Sequence, residues 1–368
     1  METKLELIKS IGEIVVFIMV ILSVFLFTVK TKNKLSNRLF GIYLLVIALD
    51  LTGLFTNKII GLPNLFVLKT TSSLLQLPLF YLYVLSACYT NFKIKKIHGL
   101  HALLFVVFLI IFKIEGITDS NLLIFKIVGE IQFYIYMIAV FIVLKKYKAV
   151  YLENYSNANQ AIYKWLFQIT VLFCVAHSLV LLRLFLSNSG FQHYILPTNI
   201  IISFSVLSII TFFVLQALYK PALFTGVNIN LKPVKLMDQG KQGPAKVQID
   251  TCSRENLRKL TSYMKDKKPY LDFELTLQKL AIQTDIPEKE LSFLINRYLG
   301  KHFFDFINEY RVKEAKDILA NHNEKDVTIL EVLYQVGFNS KSSFYTAFKK
   351  ITNKTPTQYR KETLLSKN

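Results

Sequence analysis

Over the first 218 residues, long apolar runs alternate with short polar segments, at 11–29, 39–55, 70–89, 97–112, 122–144, 165–186 and 194–218. A helix needs ~20 apolar residues to cross a hydrocarbon layer about 30 Å thick, so the pattern predicts seven transmembrane helices. The run at 11–29 is of full membrane length and ends in Lys30-Thr31-Lys32, which is not the small-residue site of a cleavable signal peptide. From 219 to 250 the periodicity stops and Pro221, Gly226, Pro233, Gly240, Gly243 and Pro244 accumulate, which predicts a flexible cytoplasmic linker. Residues 251–368 change register again, to short amphipathic segments at helical spacing with polar residues at their starts. The predicted fold class is all-α: a seven-transmembrane-helix bundle over 1–218, then a tandem helix-turn-helix domain over 251–368.

In the second part, a helix over 253–265 is followed by two units of similar plan. In the first, Thr276 caps a helix whose inner face carries Leu277, Leu280 and Ala281, and Asp285-Ile286-Pro287 breaks the chain. A second helix over 288–299 places Leu291, Leu294, Ile295 and Tyr298 on one face at i, i+3, i+4, i+7, and Gly300 stops it. A long helix over 303–319, with Phe306, Ile307, Tyr310, Ala315 and Ile318 for packing, joins this unit to the next. There Thr328 and Glu331 have capping-box spacing, the first helix ends at Val336-Gly337-Phe338, Asn339-Ser340 forms the turn, and Ser340 caps a helix running to Lys350. Phe344 and Phe348, four apart, face inward and leave Lys341, Ser342, Tyr345, Thr346 and Lys349 outward.

Charge divides along the same boundary. Lys and Arg outnumber Asp and Glu by 18 to 8 over residues 1–219 and by 26 to 17 over 220–368, within a net charge of +19. In the first part the cations sit between apolar runs: Lys30, Lys32, Lys34 and Arg38; Lys93, Lys95 and Lys96; Lys145, Lys146, Lys148 and Lys164. The positive-inside rule then puts the odd loops and the C-terminal part in the cytoplasm and the N-terminus outside. Trp165 and Tyr194 lie at span ends, where amphipathic rings favour the interface. Cationic excess in the second part points to a polyanionic partner; linker lysines have anionic lipid within reach, but a solvated linker is the preferred reading.

Ionisable groups at membrane depth need partners or a wet cavity. Glu13, Asp50, Lys126, Glu130, His177 and Arg183 are such groups. All but His177 fall in the outer halves of their spans, which makes them a candidate ligand pocket open to the outside. The competing reading pairs Lys126 with Glu130 across one helical turn and lets Glu13 and Arg183 snorkel. His98 and His101 have a spacing that can hold a metal, but with no carboxylate or cysteine nearby an interfacial role is preferred. Cys88, Cys174 and Cys252 show no zinc or disulfide pattern. No metal, cofactor or catalytic group is assigned: HExxH, GxSxG, P-loop and paired-carboxylate motifs are absent from the spans.

The C-terminal residues carry a family likeness in Leu277…Leu280-Ala281, Leu291-Ser292, Leu299-Gly300, Phe306…Arg311…Ala315, Ile329, Val336-Gly337-Phe338-Asn339-Ser340, Phe344…Phe348-Lys349 and Thr355-Pro356…Tyr359-Arg360. This segment, 253–362, resembles the DNA-binding domain of AraC/XylS-type bacterial transcription regulators. The resemblance implies two recognition helices entering successive major grooves of double-stranded DNA, with the long helix setting their separation. Carried onto this sequence, Lys289, Lys349, Lys350 and Arg360 are expected at phosphates. Ser292, Asn296, Lys341, Ser342 and Tyr345 are expected at base edges or groove walls, with Ser340 and Thr346 in the same interface. Departures from the family pattern are Pro287 for a Ser cap, Phe293 for a polar side chain, Leu333 for Ala, Thr346 for Arg and Asn353 for Gly, the last still suited to a left-handed backbone. The function expected is a membrane-embedded regulator in the bacterial inner membrane, coupling an outside or membrane signal to transcription. Its expected partners are DNA, membrane lipid, RNA polymerase, a small-molecule signal and a second copy as a homodimer. The alternatives are a transporter or membrane enzyme with an attached DNA-binding domain, and a passive anchor that releases the regulator by proteolysis.

Overall fold

The computed structural model describes residues 2–30, 34–54, 62–89, 91–156, 161–187, 190–219, 251–322 and 326–365. The expected linker lies outside the described residues but for Tyr219. Among the described residues every regular element is helical, and extended pairing is limited to one isolated antiparallel bridge between Tyr155 and Thr276. The chain divides into two units, one built from Met1–Tyr147 with Ala161–Lys232, the other from Lys148–Gln160 with Pro233–Asn368. Residues 148–160, placed by the hydrophobic pattern in the membrane half, thus belong with the C-terminal part.

The first unit contains α1 (Glu2–Thr28), α2 (Lys34–Leu51), α3 (Pro63–Ser72), α4 (Gln76–Cys88), α5 (Leu103–Ile114), α6 (Asp119–Asn154, whose last residues pass into the second unit), α7 (Ala161–Ser187) and α8 (Ile195–Tyr219). Helix α1 packs on α2 and α8, α2 on α4, and α7 on α8. The α1–α2 approach is close: Ser23 Oγ donates to the Gly41 carbonyl at 3.0 Å, and a β-carbon on Gly41 would lie 3.0 Å from the Phe27 ring. Small residues at a helix crossing are the usual means of bringing apolar helices together where lipid tails compete with them. Stacked and edge-on aromatic rings fill the centre, with Phe40 and Tyr83 at 4.5 Å and Phe80 and Phe173 at 4.9 Å between centroids. Trp165, expected at an interface, is instead buried, with its indole N–H on the Tyr83 hydroxyl at 3.3 Å and Phe213 packed edge-on against its ring. A partner hydroxyl inside the bundle removes the need for the indole to seek water.

Among the described residues, six helical stretches are long and apolar enough to cross a membrane: Glu6–Thr28, Pro63–Cys88, Lys96–Ile114, Asp119–Asn154, Ile162–Ser187 and Ile195–Gln216. The second of the seven expected spans is the one missing. It is α2, whose 18 residues include Lys34, Arg38 and Asp50, so its charge density falls outside that composition although it is buried along one face.

The second unit, beyond residues 148–156, is α9 (Thr251–Asp266), α10 (Leu277–Thr284), α11 (Glu288–Phe293), α12 (Phe303–Asn321), α13 (Ile329–Gln335), α14 (Lys341–Thr352) and α15 (Pro356–Leu365). It has two cores, and α12 contributes to both. Phe303, Phe306 and Ile307 pack with Leu260, Leu280, Leu291 and Ile295; one turn further on, Val312, Ala315 and Leu319 pack with Val332, Leu333, Phe344 and Phe348. Full burial of each such side chain contributes about 1.5–3 kcal/mol, so α12 cannot leave either core cheaply and holds the two helix-turn-helix units together. A second tie is Gly337. Its φ of +85° is a conformation that side-chain-bearing residues avoid, and a β-carbon there would lie 2.6 Å from the Tyr270 carbonyl oxygen and 2.7 Å from that of Leu271.

Candidate nucleic-acid interface

Both helix-turn-helix units are set by local hydrogen bonds that the sequence prescribes. The Thr276 hydroxyl accepts from the Lys279 N–H at 3.1 Å at the start of α10. Thr328 and Glu331 form a reciprocal capping box at the start of α13, with bonds of 2.7 and 3.1 Å. Bonds from the Thr328 backbone and hydroxyl hold the Glu331 carboxyl below the usual glutamate range. Ser340 accepts from the Ser343 N–H at 3.3 Å, and Asn353 ends α14 at a φ of +59°. Pro287 stands at the N-cap of α11 with no side-chain bond.

Helix α14 buries Phe344, Ala347 and Phe348 and exposes Lys341, Ser342, Thr346, Lys349 and Lys350. Tyr345 is half-buried at the edge of this face, under the Lys341 ammonium at 5.5 Å from its ring centre and with its hydroxyl 3.4 Å from that of Thr357. The Thr346 hydroxyl bonds back to the Ser342 carbonyl at 2.8 Å. The Ser340 hydroxyl is spent on the cap and on Ser343 Oγ at 2.7 Å. Lys350, expected at a phosphate, is drawn to Asp305 of α12 at 2.6 Å, whereas Lys349 has no ion pair among the described residues.

Arg360 departs from expectation. It was expected at a phosphate and is 2% exposed within α15. The i, i+4 pattern of α15 with Pro356 turned inward carries Arg360 to the core side; a basic residue near a helix end reads as surface only while its neighbours' packing is unknown.

In the first unit, α11 and the turn of helix that continues it to Tyr298 expose Lys289, Phe293 and Arg297, with Ser292 and Asn296 half-buried and joined by an Asn296 Nδ2 to Ser292 Oγ bond of 3.1 Å. The helix does not stay α-helical. Leu294–Tyr298 is a π turn closed by the Leu299 N–H to Leu294 carbonyl bond at 2.9 Å. One extra residue in a turn rotates the next side chains by about 100° relative to an α-helix. Tyr298, expected in the core, is therefore 40% exposed, and Leu299 packs against the core in its place. Arg297 is a member of this face that the sequence reading missed; its place four residues after Phe293 was the available signal.

Behind both units, Arg311 of α12 is fully buried, with burial pushing its guanidinium down to about 10, still charged at neutral pH. Its Nε donates to the Tyr270 carbonyl at 2.6 Å and Nη2 to the Asp272 carbonyl at 2.8 Å, and its central carbon lies 5.5 Å from the centre of the Phe338 ring.

Two capped helix pairs, each presenting a short polar and basic second helix, form the arrangement that inserts into a major groove. Residues 280–362 match the helix-turn-helix domain family. The chain is similar to an uncharacterized HTH-type transcriptional regulator of Bacillus subtilis, YdeC, 35% identical over 88 residues, which are 24% of this chain and 29% of that one. An uncharacterized HTH-type transcriptional regulator of Staphylococcus aureus (strain COL) is 37% identical over 87 residues, 24% of this chain and 11% of the relative. The chain thus matches less than a third of the length of these curated relatives. No solved structure matches the chain.

Of the six ionisable groups of the candidate ligand pocket, Glu130 and His177 meet each other, and Asp50 and Arg183 have other polar partners. Asp50 is met by Gln76 Nε2 at 3.2 Å and Lys69 at 3.9 Å. Glu130 pairs with His177 of α7 at 2.9 Å, and the imidazole stacks on Phe133 at 3.6 Å. The Arg183 Nε donates to Asn199 Oδ1 at 2.6 Å. Glu13 and Lys126 are exposed on the bundle surface. His98 Nδ1 accepts from the Lys95 N–H at 3.0 Å and His101 bonds the Tyr136 hydroxyl at 2.6 Å; among the described residues no cluster of three metal-ligating side chains forms. Cys88 is a buried free thiol and Cys174 a half-buried one.

Proposed function

We propose that this chain is a multi-pass membrane protein of the bacterial inner membrane whose cytoplasmic helix-turn-helix domain binds specific double-stranded DNA and regulates transcription. The observation that carries the DNA-binding part is the pair of second helices, α11 and α14, whose outward faces hold Lys289, Arg297, Lys341, Ser342, Thr346 and Lys349 around two shared cores. The membrane part rests on the six long apolar stretches. Counting α2 as a seventh crossing keeps the basic loops and the DNA-binding domain on one side, as the positive-inside rule requires. Base discrimination then falls to Ser342 and Tyr345 on α14 and to Ser292, Asn296 and Phe293 on α11, while Lys289, Arg297, Lys341 and Lys349 meet phosphates. Regulation makes RNA polymerase the next partner and a paired DNA site the sign of a homodimer.

The signal enters through the polar contacts of the bundle, of which the Glu130–His177 pair between α6 and α7 is the best placed. It is a hydrogen bond between two ionisable side chains on neighbouring helices, so any ligand or ion that competes for either group shifts the helices.

The test is chromatin immunoprecipitation of the full-length chain in cells fractionated beforehand. A protein recovered with membranes and cross-linked to a defined set of promoters, with transcripts at those promoters changed by Glu130→Gln, is the expected result. Recovery with membranes but no promoter enrichment above an unrelated membrane protein would remove the regulator reading.

A further inference from the structure

Arginine has five N–H donors and no acceptor, and a guanidinium with no exposure must satisfy all of them within the protein. In the helix-turn-helix domain proper, Arg311 finds Tyr270, Asp272 and, at 3.5 Å, the Asn308 side chain. Its other two donors go to one residue: Nη1 to the Ser156 carbonyl at 2.9 Å and Nη2 to the Ser156 hydroxyl at 3.1 Å. That residue is 155 positions away in sequence. Ser156, 1% exposed, also gives its own hydroxyl to the Leu275 carbonyl at 2.6 Å and its N–H to the same oxygen at 3.3 Å, beside the Tyr155–Thr276 bridge. So the domain contains a seat that accepts a residue offering a carbonyl and a hydroxyl in a fixed geometry, and residues just past the end of α6 occupy it.

The seat lies where the two helix-turn-helix units are joined. Leu275 precedes the cap of α10, Tyr270 and Leu271 touch Gly337 in the turn before α14, and Arg311 stacks on Phe338 of the same turn. We propose that residues 148–156 are a regulatory strap: when Ser156 is seated on Arg311 and Leu275, it fixes the arrangement of α11 and α14, and when α6 moves, the strap lifts and that arrangement loosens. Helix α6 is continuous from Asp119 to Asn154. A displacement at Glu130 therefore reaches the strap through a single helical rod of about 36 Å. The role of Ser156 is positioning, since it does not face the recognition surfaces. This inference rests on the DNA-binding reading above and names how the domain is controlled.

The experiment uses the full chain in lipid nanodiscs, as wild type and as Ser156→Ala, which removes both hydroxyl bonds and alters neither hydrophobic core. Hydrogen exchange reads the seat without DNA: amides at 270–276 are expected to exchange roughly tenfold faster in the variant, as loss of two buried hydrogen bonds implies. DNA titration reads the consequence: affinity for a selected site falls about three- to tenfold, with the salt dependence of binding unchanged because no phosphate contact is lost. Ser156→Thr, which keeps the hydroxyl, is expected to retain the wild-type exchange of 270–276 more closely than Ser156→Ala. Unchanged exchange at 270–276 in Ser156→Ala overturns the seat, and faster exchange with unchanged affinity overturns the regulatory role. Should wild-type chain bind no DNA site at all, the DNA-binding reading fails, and with it the strap's regulatory role, whatever exchange shows of the seat.

Discussion

Replacing Lys349 by alanine separates contact with phosphate from mere exposure on a helix. Among the described residues, four cations on the two second helices are exposed and have no ion pair: Lys289, Arg297, Lys341 and Lys349. Each phosphate neutralised releases condensed counterions, and the logarithm of the binding constant falls with the logarithm of salt at about −0.9 per contact. Four contacts give a slope of about −3.6 per domain, a loss of roughly 150-fold in affinity between ~50 and ~200 mM salt. Lys349→Ala lowers the slope to about −2.7 and the loss to roughly 40-fold. Lys350 is the internal control. It is one residue away and also exposed, but its ammonium is committed to Asp305 at 2.6 Å, so Lys350→Ala is expected to leave the slope where it was. Arg360→Ala, at a buried site, is expected to lower stability and leave the slope of the folded fraction unchanged. The measurement is fluorescence anisotropy of a labelled duplex against full-length protein in nanodiscs at four or more salt concentrations. An unchanged slope for Lys349→Ala, or equal drops for Lys349→Ala and Lys350→Ala, would refute the assignment of phosphate contacts from exposure and pairing.

Three other expectations come from the same geometry. Gly337→Ala combines an unfavourable φ with a β-carbon 2.6 Å from a backbone oxygen and is expected to cost ~2 kcal/mol or more, read as an earlier urea midpoint for proteolysis within 251–368; a midpoint equal to wild type sinks the close-approach argument. Because hydrogen bonds lower the folded-state pKa of Glu331, the capping box contributes stability that is fully present above the ordinary glutamate range and fades as pH falls through the depressed value. Glu331→Gln should abolish that part of the acid dependence of α13 exchange, and an identical pH profile in both proteins contradicts it. Phe293, 43% exposed on α11, has a face suited to a thymine methyl; Phe293→Ala is expected to weaken binding by up to about tenfold at sites with thymine opposite α11 while leaving the salt slope unchanged, and a uniform loss across all sequences argues for a structural role instead.

Much of the helix-turn-helix domain could be read from the chain because the deciding interactions are local. Thr276, Thr328 with Glu331, and Ser340 cap helices through bonds that span three residues, and Asn353 takes the left-handed conformation at the position where such a residue was expected. The i, i+4 pair Phe344 and Phe348 was enough to orient α14 and so to name its outward face. Reading failed where a local rule met a nonlocal one. The periodicity of α11 and its continuation was correct through Ile295, and the π turn then moved Tyr298 outward while Leu299 packed in its place. Lys350 and Arg360 carry the same charge as Lys349 and look alike in sequence; their partners and burial separate them.

The hydrophobic pattern by itself determined an all-helical chain with long apolar stretches before a tandem helix-turn-helix domain, since both arise from repeat lengths and from hydrogen bonds between near neighbours. Tertiary structure alone decided which charged groups meet. Glu130 turned to His177 on another helix and not to Lys126 on its own, since packing between helices fixes side-chain distances that spacing along one helix does not. It also decided that a serine after α6 satisfies an arginine 155 residues later. No pattern of spacing announces such a bond, because its cause is the demand of a buried guanidinium's five donors for acceptors in one place.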